Sequence, residues 1–550
     1  MAATAQGALR ITTGAARQRT GSEPVAQDQR FTIATEDGKQ AAFLVALGEL
    51  DPSAPRSEAL TAQLIAGLSA DTDLSGQVDR FAQNSLRCEF NAQLEAGDDL
   101  IEFPPATIAL ITAYLYHRRI HCLHLEGVLI SLRKTLLEDC FANQAQQTVE
   151  VALAEAMAQH SFRTEYIWDE TQAEADAVEK LITQVTAQIE TGADISALAL
   201  FLIGAYRPLY AVNAIRNWVK ALSRRHLDAV DPTLRRLVLN RLIEDDIQID
   251  ALTPVTSDSS KNVQSQYEEN PYPRWDHLPE ATRFDTVSAY VASVVGQHSL
   301  ASDLSARPAK VLIAGSGTGA HPISVAQTLP NVAVLAIDLS RASLAYASRE
   351  ATARGIGNVA FAQADILKLS DSDVAFDLIE SVGVLHHLQE PEAGLQALVK
   401  ILKPGGYLRL ALYSKAARHA VNAARSHLSE ATTSPNLTDI RAFRRRLMQS
   451  DDDALAPLQS IPDFYAASEF RDLVMHVQEH QFTLKDIDAM LRRNRLRFLG
   501  FSSPSAHAVL REMPPRMAQR RMRDLKAWDK HERRHPDTFL RMYDFFCVKR

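Results

Sequence analysis

Between residues 311 and 413 short apolar runs alternate with longer segments of helical spacing. The runs are 311–314, 332–338, 359–365, 376–381 and 407–413. The wholly apolar run 311–314 predicts a strand buried on both faces, as in the middle of a parallel sheet, and the other runs, apolar but for a few polar residues, read as its neighbours. Between them, Ile323, Val325, Ala326 and Leu329 recur at helical spacing, and 340–354 and about 391–402 predict two further helices. Strands alternating with helices predict an α/β sheet joined by crossovers. Two later stretches alternate as strands, 496–501 and 544–549, and helical patterns over about 416–492 separate them from the first five.

The chain before residue 250 reads differently. Segments 104–123, 128–141, 149–159, 174–189, 195–206, 210–222 and 232–243 carry Leu, Ile, Val and Ala at helical spacing, with Pro105, Pro208 and Pro232 at helix starts. A short strand pair around Asp37-Gly38 is expected within 31–45. The aromatic-rich runs Tyr114-Leu115-Tyr116 and 162–168 read as packing core. These patterns predict a disordered tail over 1–30, a helical domain over 31–252 and a polar linker with a covering segment over 253–280. A second domain then fills 281–550, with a helical insertion at about 416–492.

Composition changes this picture little. A chain of 550 residues needs two or three domains, and 46% hydrophobic with 23% charged residues is ordinary for a globular protein. A net charge of −8 argues against general nucleic-acid coating. One basic stretch, 511–534, carries nine Lys or Arg against four Asp or Glu, and reads first as a solvated helix face. Cys88, Cys122, Cys140 and Cys547 lie too far apart for a metal knuckle, so unpaired thiols in a reducing compartment are expected, and no metal. No apolar run reaches the roughly 18 residues of a membrane span. A cytoplasmic location is expected.

Candidate chemistry begins where the first strand stops, at Gly315-Ser316-Gly317-Thr318-Gly319. Glycine at alternate positions lets the backbone turn tightly and approach a ligand, with a helix start just beyond. A nucleoside ligand fits such a loop. Gly315, Gly317 and Ala320 also satisfy the dinucleotide fingerprint, so the loop alone leaves a nicotinamide-dependent dehydrogenase open. The second strand ends in Asp338, placed for ribose hydroxyls, and the third in Asp365. The "FDLIESVGVLHHL" strand and the "LKPGG" turn then follow in order.

With this ordered set the chain resembles the class I S-adenosyl-L-methionine (AdoMet) methyltransferases, in a bacterial-type form with an N-terminal helical domain. The resemblance covers about 265–550. It implies a Rossmann-like, seven-stranded class I methyltransferase sheet in which the last strand inserts between the fifth and sixth. It further implies AdoMet as cofactor, held by Gly315, Ser316, Gly317, Thr318 and Gly319 at the methionine portion. Asp338 would hold the ribose, and Asp365 and Ile366 the adenine, with Leu339 and Ser381 also among the cofactor-binding residues. In the family a segment before the first strand folds over the cofactor, a place taken here by 267–275 with Tyr267 and Arg274; a clamp tying the helical domain to the sheet is the other reading. Of the paired histidines, His386 is the expected general base, since imidazole titrates near neutral pH. Glu380 and Glu390 are only loosely similar to the paired glutamates of protein arginine methyltransferases. The expected activity is methyl transfer to an unnamed acceptor, whether protein, RNA or small molecule, with no membrane partner and nucleic acid not favoured. The rivals are a non-catalytic AdoMet-binding scaffold and the dehydrogenase.

Overall fold

The structure is a computed structural model, and it describes residues 9–12, five positions between 64 and 86, and most of 100–550. The longer exceptions are 143–147, 226–229, 297–308 and 429–434. The expected strand pair within 31–45 lies outside the described residues. The chain divides into two units: Met1–Leu242 with Gln459–Ala467, and Ile243–Leu458 with Ser468–Arg550.

The first unit is mostly helical, with Pro105–His117, Leu123–Phe141, Thr148–Arg163, Gln172–Thr191, Ala197–Tyr206 and Asn213–Arg225 as its longer helices. Thr171 and Glu174 form a reciprocal capping box at the start of Gln172–Thr191, and Gly192 ends it in a left-handed conformation. Tyr114, Leu115, Ile167 and Trp168 are buried, so the aromatic runs do pack inside. One element departs from the sequence reading. β1 (Leu9–Thr12), within the expected tail, pairs antiparallel with β2 (Leu100–Phe103). Its four residues alternate Leu-Arg-Ile-Thr, a strand pattern too short to stand out beside its Ala- and Thr-rich flanks.

The second unit is built on seven strands. β3 (Lys310–Ala314), β4 (Ala333–Asp338), β5 (Val359–Gln363), β6 (Phe376–Val382) and β7 (Leu402–Tyr413) are parallel. β8 (Leu496–Phe501) and β9 (Met542–Lys549) complete the sheet in the order β5-β4-β3-β6-β7-β9-β8. β9 runs antiparallel to both neighbours, which is the expected insertion of the last strand. Period-two alternation feeds two cores. Leu312, Ala314, Ile379, Leu408, Leu410, Phe545 and Cys547 enter one, while Val311, Ile313, Leu378, Tyr407 and Phe546 enter the other. β7 begins earlier than expected, at Leu402, because Leu402 already pairs with Phe376. There the buried Asp377 accepts from Lys403 Nζ at 2.7 Å and from the Lys310 N–H at 2.8 Å.

The polar stretch read as a linker holds a helix, Asp258–Glu269, although its only buried residues are Ser260 and Gln266. Without an apolar stripe the segment has no helical signature in its hydrophobic pattern. It is held by polar contacts instead. Glu268 accepts from the backbone N–H groups of Arg341 and Ala342, at 2.7 and 3.0 Å, and so caps the helix Arg341–Ala353 from outside it.

Candidate functional site

A cavity of about 250 Å³ opens at the carboxyl ends of β3, β4, β5 and β6. This is the topological switch point, where β3 leads on to β4 on one side and pairs with β6 on the other. Gly315, Ser316 and Gly317 form its floor, Asp338, Leu339, Asp365 and Ile366 line one side, and Val382, Gly383, Val384 and His387 the other. Tyr267, Tyr272 and Pro273, from the segment that precedes the sheet, line it as well.

The glycines are a steric necessity here. A Cβ on Gly315 would lie 2.2 Å from Val384 Cγ2, and one on Gly317 would lie 2.6 Å from the Tyr272 carbonyl oxygen. The loop's own N–H groups are already spent. Gly315 and Ser316 both donate to the Ile337 carbonyl at 2.9 Å, Gly317 to Asp338 Oδ2 at 2.8 Å, Thr318 to the Tyr272 carbonyl at 3.3 Å and Gly319 to Ser316 at 3.1 Å. A pyrophosphate needs such donors free. The loop therefore suits a ligand met by carbonyls and side chains better than a dinucleotide.

Asp338 accepts one backbone N–H on each oxygen, Gly317 on Oδ2 and Ser340 on Oδ1 at 3.0 Å. A carboxylate has about four lone-pair positions, so one on each oxygen remains for a vicinal diol. Burial pushes its pKa up, against the pull of the Ser340 and Gly317 N–H groups. Asp365 accepts from the Leu367 N–H through Oδ1 at 3.0 Å, while its buried Oδ2 has no partner. Ser316 Oγ and Ser343 Oγ, on the same walls, are likewise buried without one. Each such orphan costs about 1–3 kcal/mol unless a ligand meets it. Apolar walls with a few orphaned acceptors and hydroxyls fit an adenosine with an amino-acid tail.

Among the expected site residues, Gly315, Ser316, Gly317, Asp338, Leu339, Asp365, Ile366 and Tyr267 line the cavity. Thr318, Gly319, Arg274, Ser381 and His386 do not appear on its walls. Thr318 Oγ1 instead bonds the Pro273 carbonyl, and the Trp275 Nε1–H donates to the Thr318 carbonyl at 3.0 Å. These contacts fasten the covering segment to the loop. Ser381 and His386 are fully buried, with the Ser381 Oγ and both His386 ring nitrogens unbonded. The His386 ring stacks on Tyr413 with centroids 3.8 Å apart, and burial, with His387 and Arg418 nearby, holds its pKa well below the usual range. It is the neighbouring His387 that lines the cavity.

Sequence reasoning missed Ser259, Ser260, His321 and Ser343 as wall residues. His321 is the instructive case. It follows the glycine loop, and its Nε2 lies 2.6 Å from Oε2 of Glu380, which is fully buried at the end of β6. Burial alone would raise the Glu380 pKa, but Arg409, at 3.1 Å, and His321 outweigh it and hold it at about 2. Arg409 continues to Asp544 on β9 at 2.7 Å.

His387, Asp472 and His476 bring one donor atom each to within 4.8 Å of one another, a spacing that a metal could use. The hydrogen bonding speaks against it. The backbone N–H of Gln478 donates to His476 Nδ1 at 3.0 Å, so a neutral His476 carries its hydrogen on Nε2. Neither nitrogen then has a lone pair to give.

Residues 307–450 match the family described as methyltransferase domain. The chain carries a class I methyltransferase domain. AdoMet is the cofactor of such domains, and the cavity's walls fit it. Sequence relatives include an uncharacterised protein of Synechococcus sp., 29% identical over 206 residues, covering 35% of this chain and 48% of the relative. Demethylmenaquinone methyltransferase of Thermus thermophilus is 34% identical over 101 residues, covering 18% and 46%. Trans-aconitate 2-methyltransferase of Deinococcus radiodurans is 39% identical over 100 residues, covering 18% and 36%. The chain thus spans half or less of the length of these curated relatives. Among solved structures, PKMT2 from Rickettsia typhi superposes with a TM-score of 0.37 at 19% identity, over 50% of this chain and 55% of that one. The matched residues 307–450 hold the glycine loop and every cavity wall except the part contributed by 259–273.

Proposed function

We propose that this chain is an AdoMet-dependent methyltransferase, with Asp338 holding the ribose, Asp365 and Ile366 the adenine, and the 315–319 loop the methionine portion. The observation that carries this reading is the pairing of a loop with spent N–H groups and an acid with one lone pair left on each oxygen. A dinucleotide needs the first to be otherwise. AdoMet supplies a methyl already activated by the sulfonium, so its S–C bond breaks onto sulfur as the acceptor atom bonds to carbon. The protein's own contribution is positioning and the exclusion of water. Tyr267, Tyr272 and Pro273 cover the cavity, and the contacts of Trp275 and Thr318 hold that cover in place. The basic helices near 511–534 stay outside this reading: Pro515–Met522 buries none of its residues.

Calorimetry with S-adenosylhomocysteine (AdoHcy), the demethylated product, tests the site. One saturable site per chain is expected. Failure of AdoHcy to bind would refute the assignment.

A further inference from the structure

We propose that His387 takes the proton that the methyl acceptor loses, and that the backbone of Gln478 sets it for that task. This rests on the methyl-transfer reading of the cavity. Gln478 bonds two stacked histidines at once, their ring centroids 3.7 Å apart. Its carbonyl accepts from His387 Nδ1 at 2.8 Å, and a carbonyl can only accept, so that nitrogen bears the hydrogen. Its N–H donates to His476 Nδ1, as above, so the two rings are fixed in opposite tautomers. His387 Nε2 is left with a lone pair, on a residue that lines the cavity. His476 and His386 are buried and neither lines the cavity, so of the three rings only His387 is placed to meet a ligand.

The position suits the role. Asp338 and Asp365 stand at the ends of β4 and β5, to one side of β3, whereas His387 follows β6 on the other side. Nucleoside and proton acceptor are thus separated across the cavity. The imidazolium formed on His387 would face Asp472, whose carboxylate lies within 4.8 Å of it and accepts from the Tyr267 hydroxyl at 2.6 Å. His386, His476 and Tyr413 pack against the ring, and the charged or titratable groups around those two histidines are His480, Arg471, and Arg418 and Arg425 beside Glu479. In this step the acceptor atom would bond the methyl carbon as the S–C bond breaks onto sulfur, and the acceptor's hydrogen would pass as a proton to His387 Nε2, then to water. The acceptor is therefore a group that must shed a proton: a hydroxyl, a thiol, an N–H or an activated C–H. A thioether would not need His387.

Two measurements on the full chain test this without a known acceptor. Nitrogen-15 NMR of histidine-labelled, ligand-free protein should find His387 as the Nδ1–H tautomer and His476 as the Nε2–H tautomer; the reverse at His387 would overturn the proposal. Calorimetry at pH 8 should find sinefungin, which carries an amine where AdoMet carries its methyl, binding about tenfold tighter than AdoHcy, because the amine can donate to Nε2 through a water in the acceptor's place. His387→Phe should bring the two ligands to within about twofold of each other. Equal affinities in wild type, or a preference untouched by His387→Phe, would overturn the role of His387 while leaving the cofactor site standing. Failure of both ligands to bind would remove the cofactor reading and this inference together.

Discussion

Asp338 has one backbone N–H on each oxygen and lies on the cavity wall, so its loss should be felt at the ligand more than in the fold. Asp338→Ala should weaken AdoHcy binding by about 1.5–3 kcal/mol, the worth of hydrogen bonds to a charged group; unchanged affinity by calorimetry would remove it from the site. Glu380 makes a different prediction. Its folded pKa of about 2 lies below an unfolded value near 4.5, so its ion pair stabilises the fold fully above pH 4.5 and is lost as pH falls toward 2. In urea titrations over that window Glu380→Gln should flatten the acid loss of stability. An identical pH dependence in the variant would mean that Arg409 and His321 do not act through Glu380. The glycine loop and both acids were legible in the sequence because each is a local signal at a strand end. Which of two adjacent histidines faces the cavity was not. That choice is made by the short turn Leu385–His387 and by a backbone contact from Gln478, far along the chain.

At the scale of elements, strands were read well where apolar runs were buried on both faces, and the last strand was placed correctly between the two before it. β9 carries the fully buried Tyr543, Phe545, Phe546 and Cys547. Deleting residues 544–550 would expose two strand edges and remove side chains worth about 1.5–3 kcal/mol each, against a typical total of about 5–15 kcal/mol. The truncated protein should aggregate or lose its cooperative melt, and one that kept its Tm and bound AdoHcy would contradict the packing of β9. The segment 267–275 was read without a helix, but Tyr267, Glu268 and Glu269 close one. Polar capping contacts at Arg341 and Ala342 hold that helix, and such contacts leave no trace in hydrophobic periodicity. AdoHcy should slow hydrogen exchange across 267–275. Equal exchange with and without it would leave the segment as a clamp with no part in binding.

For the whole molecule, two units were expected from length and pattern, with the change of pattern near residue 250; the structure divides at Leu242/Ile243. That Gln459–Ala467 groups with the first unit could not be read from the chain, since the segment lies inside what looked like an uninterrupted insertion. Among the described residues no helix is long and apolar enough to cross a membrane. The helical unit carries no motif tied to a task, so function is placed on the second unit, whose cavity we propose takes AdoMet and not a dinucleotide. Titration calorimetry of the full chain with AdoHcy and, separately, with NAD separates the two. One saturable AdoHcy site and no heat from NAD at the same concentrations are expected; saturable NAD binding with none for AdoHcy would overturn the assignment.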